Sequence, residues 1–238
     1  MTAGRSPLTP VIAIDGPAAS GKTTTAGAVA RMLGLVHLDS GAVYRGLTAV
    51  ALELADRSPA AIVRSAEARG LVLRQAGGGL VPFLDGRDAE SRIRTPQVTA
   101  LVSDVSALPE VRAWVNARLR EAVESGEGRP VVLDGRDIGT AVFPDAPVKI
   151  FLTATPEARA RRRLLQRGAP AGPEEVAREA AVLAERDRRD STRTVAPLRR
   201  AGDAVLLDTT TRSFEEQVGE IVRLVRSRLP HLRAADSL

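Results

Sequence analysis

The chain has 238 residues, 44% of them apolar, and a formal net charge of +5, which suits one globular domain with room for an inserted subdomain. It has no cysteine, which excludes disulfides, Cys-ligated zinc and thiol catalysis, and no run approaches the roughly 18 consecutive apolar residues of a membrane span. Aromatic residues make up only 3%, so the basic excess lacks the stacking platforms of single-strand nucleic-acid binders and points to small phosphorylated ligands instead.

Among the 34 basic residues only Lys22 and Lys149 are lysine, which leaves 32 arginines. A guanidinium holds phosphate with a planar fork where an ammonium offers a point charge. Met1 to Pro10 contains no apolar core of a signal peptide and is read as a disordered tail. The expected compartment is the cytoplasm.

Val11-Ile12-Ala13-Ile14-Asp15 is a short apolar run of the kind a buried parallel strand uses. It leads into Gly16-Pro17-Ala18-Ala19-Ser20-Gly21-Lys22-Thr23, which satisfies G-x-x-x-x-G-K-[ST] at each fixed position. Thr24 to Leu33 continues at helical spacing. Strand, glycine loop and helix in that order make a phosphate-binding loop. Its N–H groups face a polyphosphate at the positive end of a helix dipole. Lys22 is expected to reach the β- and γ-phosphates and the Thr23 hydroxyl to sit on Mg²⁺, so the stretch predicts binding of a nucleoside triphosphate.

Leu35 to Leu38 reads as a second strand ending at Asp39-Ser40-Gly41, and Ala42 to Ala55 as a helix with Tyr44 and Arg45 near its start. Ser58-Pro59 opens a further helix that stops at Gly70. Leu71 to Arg74 and Leu80 to Leu84, with Gly77-Gly78-Gly79 between them and an Asp85-Gly86 turn after them, predict a small antiparallel hairpin inserted outside the main sheet. Thr95-Pro96 and Pro109-Glu110 open two more helices. Val131 to Leu133 is a strand closed by Asp134-Gly135-Arg136-Asp137, and Pro147 to Leu152 is another. Thr155-Pro156-Glu157 caps a helix crowded with Arg159, Arg161, Arg162, Arg163 and Arg167, and a Gly/Pro loop then leads to a helix ending at Glu185 to Asp190. Ala204 to Leu207 is the last strand, and Ser213-Phe214-Glu215-Glu216 is a capping box. About five apolar strands alternating with helices predict a parallel α/β sheet, with ligands beyond the carboxyl ends of its strands. The glycine loop, Asp39-Ser40, Asp134 to Asp137 and the Thr153 to Thr155 edge should meet there in one cleft.

A phosphate monoester acceptor is already anionic at neutral pH, since its second pKa is about 6. Its transfer chemistry needs no general base; it needs charge neutralised between two polyanions. One loop lysine, Mg²⁺ and two dense arginine groups answer that need, and neither a Ser–His pair nor an H-R-D loop is apparent. Asp134, at a strand end, is placed to orient Mg²⁺ through water or to cap the following turn, and Asp39 competes for the metal role. His37, between apolar neighbours, is read as a packed core residue; Tyr44 serves either packing or base stacking.

The motifs resemble those of the bacterial cytidylate (CMP) kinases. The likeness rests on I-D-G-P-x-x-S-G-K-T at Ile14 to Thr23, L-D-S-G-A-V-Y-R at Leu38 to Arg45, I-R-T at Ile93 to Thr95, D-G-R-D and its continuation to Leu152, E-R-D-x-R-D-x-x-R at Glu185 to Arg193, and V-A-P-L at Val195 to Leu198. It implies a P-loop NTPase-type parallel sheet flanked by helices. The core would span 11–66 and 95–238, interrupted by an NMP-binding insertion at 67–94 and carrying an Arg-rich lid at about 156–172. It also implies transfer of the γ-phosphoryl group of ATP to CMP or dCMP, with Mg²⁺ as cofactor, by a monomer without nucleic-acid or membrane partners. Gly16 to Thr24 would hold ATP. Arg45 and Arg136 would bind the acceptor phosphate; Ser40, Arg112, Asp137 and Arg193 would read cytosine; Ser103, Arg186 and Asp190 would hold the ribose. The lid arginines Arg161 and Arg163 would close on the ATP phosphates, so that Lys22, Arg136, Arg161 and Arg163 form the expected catalytic set. Ala18-Ala19 departs from the Ser-Gly common in relatives and loses a hydroxyl contact to phosphate.

The base assignment has chemical support, because cytosine offers an N4 amino donor to a carboxylate where uracil offers an acceptor. The alternative for Asp137 is a helix or turn cap. Rival readings are a P-loop kinase for UMP or shikimate, a GTPase switch, which the missing N-K-x-D segment disfavours, and an RNA-binding protein with incidental ATPase activity.

Overall fold

The computed structural model describes residues 9–76, 78–125, 128–230 and 232, so positions 1–8 of the expected tail lie outside the described residues. The elements run β1 (Val11–Asp15), α1 (Lys22–Leu33), β2 (Val36–Asp39), α2 (Ser40–Leu52), α3 (Pro59–Ala68), β3 (Val72–Ala76), β4 (Gly79–Leu84), β5 (Arg87–Asp88) and α4 (Glu90–Ile93). There follow α5 (Pro96–Ala107), α6 (Pro109–Glu124), β6 (Val131–Gly135), a π-helical turn (Ile138–Val142), β7 (Val148–Thr153), α7 (Pro156–Gln166), α8 (Pro173–Thr192), β8 (Val205–Asp208) and α9 (Phe214–Arg228).

Local chemistry sets several helix starts. The side-chain oxygens of Ser58, Thr95 and Thr155 accept from the N–H groups of Ala61, Val98 and Ala158, each at 3.3 Å, ahead of a proline in the first turn. Ser213 accepts from Glu216 N–H at 3.1 Å while the Glu216 carboxylate accepts from Ser213 N–H at 2.8 Å, completing the capping box.

The described strands form one sheet in the order β3-β4-β2-β6-β1-β7-β8, with β5 on β4. From β4 to β8 every neighbouring pair is parallel. β1 lies inside the sheet and is buried along its whole length. Its alternate residues feed two cores: Val11 and Ala13 pack with α2, α3, α5 and α6, whereas Ile12 and Ile14 pack with α1 and α9. A strand covered on both faces explains the unbroken apolar run, and each of its buried Val and Ile side chains contributes about 1.5–3 kcal/mol. A smaller cluster of Ala18, Ala160, Leu164, Val176 and Leu183 ties α7 and α8 to the loop after β1.

One expectation is corrected. The hairpin β3–β4 is antiparallel, but it is not separate from the main sheet: β4 also pairs parallel with β2, setting His37 opposite Gly79 and Leu38 opposite Leu80. The contact is close enough that a Cβ at Gly79 would lie 3.0 Å from the His37 carbonyl oxygen. Glycine at the start of β4 is what admits the hairpin to the free edge of β2.

Candidate active site

The carboxyl ends of β1, β2 and β6 open into a cleft of about 990 Å³. Its first wall is the glycine loop. Gly16 passes so near β7 that an added Cβ would lie 2.0 Å from the Leu152 carbonyl oxygen, so no side chain fits there. Ala19, Gly21, Lys22, Thr23 and Thr24 line the cleft, while Gly16, Pro17, Ala18 and Ser20 shape the loop from behind. Lys22 is buried, its Nζ donating to the Pro17 carbonyl at 2.7 Å. Burial, then the neighbouring Arg136, lowers its pKa, which is the electrostatic condition of a cation awaiting an anion.

The tip of the loop is held from far along the chain. Ala18 N–H donates to Asp187 at 2.8 Å, and the Ala18 carbonyl accepts from Arg159 at 2.9 Å. Arg159 and Asp187 are themselves paired at 2.5 Å. Arg159 is therefore part of the loop's support rather than a free lid cation. Ala19 adopts φ +57°, a left-handed conformation unusual for a residue with a side chain.

At the end of β6, Asp134 gathers three partners. Thr23 Oγ1 donates to its Oδ2 at 2.7 Å, His37 Nε2 lies 2.7 Å from its Oδ1, and the Ser40 hydroxyl donates to its carbonyl at 2.7 Å. His37 is thus not the packed core residue expected; its ring carries a polar contact that links β2 to β6. Asp39, next to Asp134 in the β2–β6 register, is pushed up in pKa by burial and then by that neighbour. Among the described residues no group of three or more His, Cys, Asp or Glu could hold a metal on its own. The adjacent oxygens of Thr23 and Asp134 fit a small hard cation such as Mg²⁺, which keeps waters and takes the rest of its shell from phosphate oxygens. Asp15, at the end of β1, accepts from the N–H groups of Ile138 at 2.9 Å and Gly139 at 2.8 Å, fixing the segment after Asp137.

The opposite wall is a charged recess. Asp137 pairs with Arg112, and its other oxygen accepts from Arg193 at 3.2 Å. Burial pushes its carboxyl up in pKa while the two arginines pull it down. The Arg112 guanidinium lies 5.6 Å from the Tyr44 ring centre, a cation–π contact, and the Tyr44 hydroxyl is buried without a partner. Ser40 lines the same cleft.

Further cations line the same cleft. Arg136 is braced by Asp190 at 3.1 Å, and Arg45 donates to Thr99 at 3.0 Å. Burial, then Arg94, presses the pKa of Arg45 down to about 10; burial, then Arg136, presses Arg186 down to about 9. These guanidiniums stay charged at neutral pH, held partly out of water beside one another.

The structure therefore brings Ser40, Arg45, Arg112, Arg136, Asp137, Arg186, Asp190 and Arg193 to one cleft with Lys22, Thr23 and Asp134. Two expected residues fall elsewhere. Ser103 is not in the lining; α5 presents Val102 and Ser106 instead, and Ser106 donates to the Ser103 carbonyl at 3.1 Å. Arg161 is exposed and outside the cleft, whereas Arg162, Arg163 and Arg167 line it. A step of one residue turns a helix by about 100°, so a crowded run does not reveal which member faces inward. The sequence reading also missed Arg94, Gln217 and Phe214, which line the cleft; Arg94 lay within the quoted I-R-T motif.

Against known proteins, the family model described as cytidylate kinase matches residues 12–227. The chain is 45% identical over 219 residues to the cytidylate kinase of Carboxydothermus hydrogenoformans, covering 90% of this chain and 96% of that one. It is 44% identical over 219 residues to the cytidylate kinase of Mycobacterium leprae, covering 92% and 96% respectively. To that of a Geobacillus species it is 43% identical over 223 residues, covering 92% and 97%.

Proposed function

The chain belongs to the cytidylate kinase family, and we propose that its cleft performs the ATP-dependent phosphorylation of CMP or dCMP, yielding ADP and CDP or dCDP. The observation that carries this reading is the placement of the buried Asp137, flanked by Arg112 and Arg193, in the same cleft as the loop lysine Lys22. One end of the cleft suits a polyphosphate and the other a base with an exocyclic amino group.

In this reading Gly16 to Thr24 holds ATP. Lys22 leaves the Pro17 carbonyl for the β- and γ-phosphates. Mg²⁺ held near Thr23 and Asp134 would neutralise charge on the β- and γ-phosphate oxygens. Arg45 and Arg136 grip the acceptor phosphate, and Arg186 and Asp190 hold the sugar. Asp137 accepts from the cytosine amino group, with Ser40, Arg112 and Arg193 around it. The acceptor oxygen is already anionic, so no residue is required to remove a proton. Arg163 closes on the transferring group from α7, joined by Arg162 in place of Arg161. We assign 67–94 as the NMP-binding segment and about 156–172 as the lid. One chain supplies every group the reaction needs, consistent with a monomer, and we place the reaction in the cytoplasm.

The test is an ADP-release assay over CMP, dCMP, UMP and AMP in the presence of ATP and Mg²⁺. Turnover confined to the cytosine nucleotides is the expected result, and equal turnover of UMP would overturn the base assignment.

A further inference from the structure

His37 has no part in the roles assigned above, yet its ring is held on several sides. Its backbone lies between Val132 of β6 and Gly79 of β4 in the sheet. Gly27 of α1 closes over the ring so that an added Cβ would lie 3.6 Å from Nδ1. Nε2 then meets Asp134 Oδ1 at 2.7 Å, with the Asp134 side chain 2% and the His37 side chain 17% exposed. A carboxylate oxygen accepts, so Nε2 is the ring nitrogen that carries the hydrogen. The other carboxylate oxygen takes the Thr23 hydroxyl at 2.7 Å. With both oxygens engaged, the plane of the Asp134 carboxylate is fixed by two partners from two different elements.

We infer that His37 is a positioning residue for the metal side of the nucleotide site: it keeps the Asp134 carboxylate turned towards Thr23, where the magnesium of the bound nucleotide is held. This rests on the proposed placement of Mg²⁺ near Thr23 and Asp134. Remove the ring, and Oδ1 becomes a buried acceptor without a donor. The carboxylate then gains by rotating away from Thr23 to find one. The role concerns orientation, so a side chain that donates from the same place should replace the histidine. Glutamine does, since its amide nitrogen can reach the position of Nε2. Leucine fills the space without donating, and asparagine donates but is too short to reach Oδ1.

The test is calorimetric titration of ATP into the full chain, once with excess Mg²⁺ and once with EDTA, for the wild type, His37→Leu and His37→Gln. The wild type should bind ATP more tightly with Mg²⁺. His37→Leu should lose about tenfold of that metal-dependent gain, the lower end of what loss of an outer-shell partner does to metal affinity, while its EDTA affinity stays within about twofold of wild type. His37→Gln should keep the gain. His37→Asn, expected to behave as the leucine variant does, serves where that variant fails to fold. The inference is overturned if His37→Leu keeps the full gain, if both arms weaken equally, or if His37→Gln loses the gain as leucine does. A wild type that binds no ATP in either arm would overturn the nucleotide-site reading itself, and the inference with it.

Discussion

Arg112 and Asp137 form an ion pair in which neither side chain is more than 5% exposed, and the pair is part of the wall of an open cleft. Such pairs rarely stabilise a fold more than apolar residues of the same shape would, because desolvation offsets the attraction. In the proposed reading its use is recognition: a carboxylate held by two arginines presents an acceptor of fixed direction. Asp137→Asn keeps the shape and should lower kcat/KM for CMP by about 10–100-fold, the effect of one buried polar group left unpaired. ATP affinity should stay near wild type. Asp137→Ala leaves Arg112 and Arg193 without their counter-charge and should also destabilise the fold, by about 3–5 kcal/mol. Parallel titrations of ATP and CMP check this, and equal loss of both would refute the assignment.

Arg186 is half-buried beside Arg136, Arg45 and Arg163, with Asp190 as its nearby counter-charge, and its Nε has no partner. The free cleft therefore contains repulsion that an anion relieves. CMP at a hundred times its Kd should stabilise the fold by about 2.7 kcal/mol, visible as a rise of several degrees in Tm. Arg186→Gln should raise the Tm of the free protein yet lose most of the CMP-induced shift. Thermal scans with and without CMP decide it; a lower free Tm with the full shift retained would show the crowding to be harmless.

Ala19 should tolerate, and profit from, the loss of its side chain. A left-handed φ costs an L-residue about 1–2 kcal/mol, and glycine returns about 0.5–1 kcal/mol of that in backbone entropy. Ala19→Gly is expected to gain roughly 0.5 kcal/mol, or about 1–2 °C in a chain of this size. A drop in Tm measured by calorimetry would mean that the methyl contributes packing that outweighs the strain.

Asp15 gives the protein a pH signature. Burial, opposed by the N–H groups of Gly139 and Ile138, pushes its carboxyl up from 3.8 to about 6. Between those values the folded chain holds a proton that the unfolded chain releases, so the group's contribution to stability falls as pH rises through that window and is level above it. Two pKa units correspond to about 3 kcal/mol. The stability of wild type relative to Asp15→Asn should therefore decline from about pH 4 to pH 6. Denaturant titrations at a series of pH values provide the check, and a relative stability that rises with pH would contradict it.

Much of this architecture was legible because its signals are local. The glycine loop, the strand before it and the caps at Ser58, Thr95, Thr155 and Ser213 each declare themselves within a few residues, and the structure places each element there. What stayed hidden depends on residues distant in sequence. His37 read as core because its strand neighbours are apolar; Asp134, its partner, lies 97 positions away. The hairpin read as separate because nothing near Gly79 announces the β2 edge it joins. Motif position points to Arg161 and Ser103, but the inward face is set by helix phase, which the packing of α7 and α5 decides. Helix α7 offered four arginines, with Arg167 just past its end, and no local sign of which one, Arg159, turns back to support the loop.

That support has a consequence for the order in which the molecule is made. Ala18 is fixed by groups 141 and 169 positions further along. The ribosome has delivered the whole glycine motif long before Asp187 emerges, and contacts this distant in sequence close late. The first-made functional segment is thus among the last to reach its working shape. A nascent or truncated chain ending before α7 would display the motif while its loop tip remained unanchored, and one ending before α8 would lack the Asp187 half of the anchor.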